Sequence, residues 1–250
     1  MERPSGTRDP GSSERPDEPR QRWRITFARD ASAEGDRPIG RAYVGVWEEA
    51  LIRSGLPVAI APGGRPKLAL AAALPAGVAG RAELVDVWLT ERMPAWRVRE
   101  ALQSVLPQDH RFVRCEDVWL AAPALAGRVA GADYVVDLMD EVDRGLATDA
   151  AAALLASTSI PRTRQKGSET KTFDLRPLLI AIRITDEAGE PNCSGLRIRT
   201  RIHPELGTGR PEEVVAAFAE RLGIPVAAGV VIRDRLLLTE DVSDQTSPLD

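Results

Sequence analysis

Proton-transfer and metal chemistry need histidine, cysteine or paired carboxylates at close spacing. This sequence offers two histidines and two cysteines. His110 follows Pro107-Gln108-Asp109 and reads as a loop histidine. His203 precedes Pro204 at the end of a strand-like run. Neither has a partner at metal or triad spacing. Cys115 and Cys193 make no CxxC pair, so neither a disulfide framework nor a cysteine metal site is indicated. Asp86, Asp137 and Asp174 fall in strand-like runs, where a lone carboxylate commonly serves as an ion-pair partner. There is no Walker loop and no GxGxxG signal. No catalytic residue and no cofactor follow from these residues.

Charge is the stronger signal. The stretch PRTRQKGSETKTFDLRPLLIAI runs from Pro161 to Ile182 and turns from basic to apolar without a break. Residues 160–176 carry five positive and two negative side chains, a balance of +3 inside a chain of net charge −4. Any nucleic-acid contact must therefore come from a local patch. The candidates are Arg162, Arg164, Lys166, Lys171 and Arg176, with Arg65 and Lys67 in the turn APGGRPK. Arg197, Arg199 and Arg201 add a basic stripe to one strand. Such groups contact phosphates; alternating arginines are equally the solvent face of a sheet. Aromatic residues make up only 4% of the chain, and Phe173 is the one beside the basic run, so base-stacking platforms are scarce.

The elements that hold these residues follow from periodicity. Residues 1–20 and 241–250 are polar and expected to be disordered. In RWRITFAR, Trp23, Ile25 and Phe27 alternate with Arg24 and Thr26, as on a half-buried strand. Tyr43, Trp47, Ala50 and Leu51 share one helical face, and Gly55 suits a C-cap. A strand broken by the turn Pro62–Pro66, a strand over 80–91, a helix after Pro94 and a strand from His110 complete β-α-β-β-α-β. The order recurs. A strand over 132–140 precedes a helix capped by Thr148 or Asp149. Strands over 173–185 and 194–204 follow, then a helix from Pro211 to Gly223 and a last strand over 228–240. The fold expected is α+β, two tandem ferredoxin-like lobes with antiparallel sheets, at 21–128 and 129–240. Both basic stretches then become connections between the first helix and second strand of a lobe. The Gly167-Ser168 pair suggests that the longer one is a hairpin. No apolar run approaches the roughly 18 residues of a membrane span, and no secretory segment is evident, so a cytoplasmic protein without a membrane partner is expected.

Several motifs resemble a known family. Pro66-Lys67, Leu74-Pro75-Ala76-Gly77-Val78 and Ala82-Glu83-Leu84-Val85-Asp86 are similar to the hallmark region of the radical-SAM-linked family of uncharacterised bacterial proteins. Phe173-Asp174-Leu175-Arg176-Pro177 and Gly209-Arg210-Pro211-Glu212-Glu213 resemble it too. The resemblance implies association with a cobalamin-binding radical SAM protein. The chain itself lacks the CxxxCxxC iron–sulfur motif. It also departs from the family's His- and Asp-bearing first-helix motif, having Arg37-Pro38-Ile39-Gly40-Arg41-Ala42-Tyr43 there. The expectation is a non-catalytic accessory protein of such an enzyme that binds RNA (tRNA or rRNA). The alternatives are an RNA-cleaving or RNA-modifying enzyme using His203, and a protein–protein adaptor without RNA.

Overall fold

A computed structural model of the chain describes residues 18–31, 40–166, 169–185 and 192–243. The elements run β1 (Gln21–Arg29), α1 (Gly40–Arg53), β2 (Ile60–Ala61), β3 (Arg65–Pro66), β4 (Leu68–Leu70), β5 (Ala79–Leu89), α2 (Ala95–Gln103) and β6 (His110–Val118). Then come β7 (Val129–Asp143), α3 (Arg144–Ala156), β8 (Pro161–Lys166), β9 (Glu169–Asp174) and β10 (Leu179–Ile184). The chain closes with β11 (Asn192–His203), β12 (Gly207–Thr208), α4 (Pro211–Leu222), β13 (Ala228–Leu238) and α5 (Thr239–Ser243). The class is mixed α+β with mostly antiparallel pairing. The expected Gly167-Ser168 turn and the tails at 1–17 and 244–250 lie outside the described residues.

Nine strands make one sheet, in the order β10-β11-β7-β13-β5-β1-β6, with β4 also on β5 and β12 on β11. The strands of the two halves are therefore not separate sheets. They meet where β13 runs parallel to β5, through Ile232–Ala79 and Arg233–Gly80. Apolar alternation sets the inside face. Trp23, Ile25 and Phe27 of β1 and Val85, Val87 and Leu89 of β5 pack under Trp47 and Leu51 of α1 and Val98 and Leu102 of α2. In the second half, Tyr134 and Val136 of β7 and Ile198 of β11 pack under Leu154 of α3 and Phe218 of α4.

A buried ion pair joins the halves on this same face. Arg233 Nε donates to Glu83 Oε1 at 2.8 Å, and a second, shorter contact makes the pair bidentate. The two side chains are only 2% and 4% exposed. The Ala73 carbonyl accepts from Nη1 at 3.0 Å. Burial opposes the Arg233 charge, but Glu83 and the hydrogen-bonded Tyr134 outweigh it and hold its pKa above the ordinary value. Glu83 shares a face with Val85 and Val87 on β5, opposite Phe27, Ile25 and Trp23, and Arg233 lies opposite Tyr134 on β7. Both therefore point to the helix side, and all four long helices cover one face of the sheet.

Several elements differ from their sequence reading. The helix expected from Thr148 begins a turn earlier, because Asp143 Oδ1 accepts from the N–H of Leu146 at 2.9 Å and caps it. The apolar run Lys67–Leu74 is strand only at Leu68–Leu70. The strand expected over 173–185 breaks after Asp174 into a 3-10 turn, Arg176–Leu178, before β10. There Asp174 Oδ1 accepts from the N–H of Ile160 at 2.8 Å and of Arg176 at 2.9 Å. Arg176 reaches back to the end of α3. Its Nη2 donates to the Leu155 carbonyl at 2.7 Å and its Nε to the Ser157 carbonyl at 3.1 Å. The Asp-Leu-Arg-Pro motif thus ties the hairpin base to the end of the helix. A slight burial cost acts on the Asp174 carboxyl, but the N–H groups of Ile160 and Arg176 and the Ser159 hydroxyl outweigh it. They hold its pKa below the ordinary 3.8.

Two outcomes follow. Glu83→Gln or Arg233→Met alone strands a buried partner and should cost about 3–5 kcal/mol in urea unfolding, whereas the paired Glu83→Leu/Arg233→Met change should cost less. For Asp174, a depressed folded-state pKa means its stabilisation is present above the unfolded value and lost as pH falls through the folded one. The stability gap between the native chain and Asp174→Ala should thus be open at neutral pH and close below about pH 4, read by denaturant titration at each pH.

Candidate nucleic-acid interface

Both basic connections are hairpins, β2–β3 in the first half and β8–β9 in the second, each following the first helix of its half. They do not meet. β2–β3 leads to β4 on strand β5, while β8–β9 leads to β10 at the sheet edge, with β13, β7 and β11 between β5 and β10. At the usual spacing of strands β5 and β10 are on the order of 20 Å apart.

The charges of the second hairpin are largely matched. Arg162 grips Glu220 through both Nη atoms, at 2.6 and 3.0 Å. The Arg162 hydrogen bond, then its charge, hold the Glu220 carboxyl below its ordinary range. Arg164 grips Glu213 at 2.8 Å through Nε and Nη2, and stacks 4.7 Å above the Phe173 ring. Arg176 serves α3, as described. Lys171 is exposed opposite Arg164. Lys166 ends β8, and its side chain lies outside the described residues. In the first hairpin Arg65 is exposed, 3.7 Å from Glu48, and the Lys67 ammonium lies 5.1 Å above the Trp88 ring.

The larger basic surface is the face without helices. Directly paired residues of an antiparallel ladder share a face. Arg199 lies opposite Asp133 and Arg197 opposite Val135, while Arg183 lies opposite Arg197 and Arg235 opposite Asp133. Arg201, Arg199 and Arg197 alternate with the buried Ile198 and Thr200. Among the described residues, Arg183, Arg197, Arg199, Arg201 and Arg235 thus share a face with Asp133 and Asp137, and Glu141 follows further along β7. Arg199 Nε and Nη2 bind Asp133 at 2.6 and 2.9 Å, and Arg235 Nε binds the same carboxylate at 2.9 Å. One carboxylate therefore serves two guanidiniums, and the Arg235 side chain is still 46% exposed.

The first half repeats the device and closes it. Asp86 accepts from Arg22 Nη2 at 2.5 Å and Arg24 Nε at 2.9 Å, and the Asp86 side chain is wholly buried. The carbonyls of Ala122 and Pro123 roof Arg22, accepting at 2.5 and 3.0 Å. That half of the face is locked, not offered.

The histidines do not build a site. His110 is no loop residue. It opens β6 with its ring buried, and Nε2 meets the Tyr43 hydroxyl at 2.9 Å while Nδ1 meets Asp109 at 2.7 Å. Trp47 Nε1 donates to the same hydroxyl at 3.3 Å. Burial pushes the Tyr43 pKa up to about 12, so the phenol keeps its proton at neutral pH. The Asp109-His110 pair and the Tyr43/Trp47 spacing are visible in the sequence; their meeting across the sheet is not. His203 Nδ1 accepts from the N–H groups of Glu205 and Leu206 at 3.2 Å and shapes a turn. Among the described residues no three His, Cys, Asp or Glu side chains gather as a metal site would require, and no helix is long and apolar enough to cross a membrane.

Three solved structures share features of the arrangement. A Cbf5–Nop10–Gar1 complex shows 11% identity and a TM-score of 0.48, covering 86% of this chain and 48% of that one. An archaeal box H/ACA sRNP Nop10–Cbf5 complex shows 14% identity and a TM-score of 0.44, over 86% and 47%. An H/ACA RNP bound to a substrate RNA containing 2'-deoxyuridine shows 14% identity and a TM-score of 0.44, over 84% and 47%. The chain spans about half the length of these chains, and such TM-scores are too low for the likeness to carry an inference. No curated protein matches the chain. Residues 41–213 match the family described as uncharacterized protein conserved in bacteria (DUF2344), and the chain belongs to that family.

Proposed function

We propose that the chain is a non-catalytic accessory protein that binds RNA on the helix-free face of its second half. The observation that carries this reading is the gathering of five arginines on that face among the described residues, with Asp133, Asp137 and Glu141 as its acids, on a protein of net charge −4. RNA would be repelled by the molecule as a whole and needs such a local patch. Guanidiniums suit phosphates because they donate in a planar fork. Aromatic side chains are scarce, so the contacts fall on phosphates and the binding is weakly sequence-selective. Lys171 lies apart from this face, on the side of the hairpin that meets α4, and Arg65 and Lys67 form a separate, lesser basic site.

We read the two halves, 21–128 and 129–240, as tandem ferredoxin-like units. The strand orders β6-β1-β5-β4 and β13-β7-β11-β10 support this, since each runs fourth, first, third, second within its half. The resemblance to the radical-SAM-linked proteins adds the partner, a cobalamin-binding radical SAM enzyme to which this chain would present RNA.

Filter binding of total RNA across a salt series tests the reading. Native protein should bind at about 50 mM salt and weaken steeply as salt rises. The pair Arg201→Glu/Arg235→Glu should weaken binding at least about tenfold and lower the salt slope by about 0.7 for each phosphate no longer neutralised. Undetectable binding at low salt, or binding indifferent to that pair, would sink the proposal.

A further inference from the structure

The β8–β9 hairpin stands apart from the main sheet. Its strands pair with each other and with no other strand among the described residues. The register sets its two faces. Arg162 lies opposite Phe173 and Arg164 opposite Lys171, so these four share one face. Thr163 with Thr172 and Gln165 with Thr170 make the other. The threonine and glutamine face is neutral, and all four of its side chains are exposed. The arginine face is the one turned onto α4, through Glu213 and Glu220. Charged side chains usually face water, so this hairpin is turned the opposite way from expectation.

Two glutamates hold it there. Glu213 and Glu220 lie about two helical turns apart on one side of α4. Glu213 takes Arg164 and Glu220 takes Arg162, each through two nitrogens. The clasp at Glu220 is imperfect. It uses both Nη atoms of Arg162, and Arg162 Nε is buried with no partner among the described residues. A buried donor left unpaired works against the contact. The Glu220 side chain is also 68% exposed, so dissolved ions reach and screen the pair. The hairpin base is fixed separately. Ile160 donates its N–H to Asp174 Oδ1, and its carbonyl accepts from the Leu175 N–H at 2.8 Å.

We propose that Glu213 and Glu220 form an autoinhibitory clasp. Their carboxylates occupy the two guanidiniums that would otherwise take phosphates. RNA phosphates exchange for them, Glu220 first, and the hairpin then adds Arg162, Arg164 and Lys171 to the RNA contact. The inference rests on the RNA reading above and supplies its regulation. The hairpin leads into β10, the edge strand of the half that carries the arginine face, so RNA running past that edge reaches it.

Filter binding of total RNA to the full chain decides it. Glu213→Gln/Glu220→Gln should bind at least about tenfold more tightly than native protein at about 150 mM salt. Its salt slope should be steeper by about 1.4, or about 0.7 for each of two added phosphates. Glu220→Gln alone, at an exposed position, should give part of that gain, with folding checked by circular dichroism. Glu49→Gln/Glu100→Gln removes the same charge from α1 and α2 and should leave the slope unchanged. Adding Arg162→Gln/Arg164→Gln to the Glu213/Glu220 pair should cancel its gain. Native affinity in the Glu213/Glu220 pair, or an equal gain in the Glu49/Glu100 pair, would overturn the clasp and leave the RNA reading standing. Absence of binding by both the native chain and the Glu213/Glu220 pair at about 50 mM salt would remove the RNA reading and the clasp together.

Discussion

The Glu83–Arg233 pair is the buried charge contact at the junction of the two halves. It is bidentate, almost wholly buried, and supported by Tyr134 and the Ala73 carbonyl. It stands beside the short parallel pairing of β13 with β5 and an apolar core in which Ala71, Leu74 and Val78 of the first half pack with the second. Burying two charges is costly, and a pair of this kind adds more to specificity than to net stability when it is complete. What it specifies is the junction. Because both side chains point to the helix side, the helices of the two halves cover the same face. The opposite face is then left to whatever each half places on it.

Each half places one aspartate between two arginines there, with opposite consequences. Asp86 with Arg22 and Arg24 lies under the 122–123 backbone, and its excess positive charge is absorbed by carbonyl oxygens. Asp133 with Arg199 and Arg235 has no such roof over Arg235 among the described residues, and Arg235 stays half exposed beside further arginines of β11. The same arrangement of charges serves as a lock in one half and as a surface in the other. The difference is coverage by backbone, not the identity of the charged residues.

Periodicity makes much of this legible. The alternation in β1 and β11 separates apolar from charged faces, and Pro211 and Gly223 mark the ends of α4. The antiparallel α+β class follows from the same patterns. What periodicity does not reveal is the residue opposite. Arg162 and Arg164 look like a free basic run because Glu220 and Glu213 stand 58 and 49 residues further on. Asp143 carries no helix-start signal that outranks Thr148 or Asp149, yet its side chain caps α3. His110 reads as a loop residue because its partner Tyr43 is 67 residues away in the chain. For the arginines and the histidine the missing fact is a long-range contact, which composition and local spacing do not encode.

On the function proposed, RNA meets the arginine face of the second half. Ultraviolet crosslinking of bound RNA, followed by mass spectrometry of the protein, tests it most directly. Crosslinked peptides are expected from β11 and β13, around Arg197, Arg201 and Arg235, and should disappear when salt releases the RNA. Crosslinks confined to the helices on the opposite face, or to the roofed surface around Asp86, would contradict it.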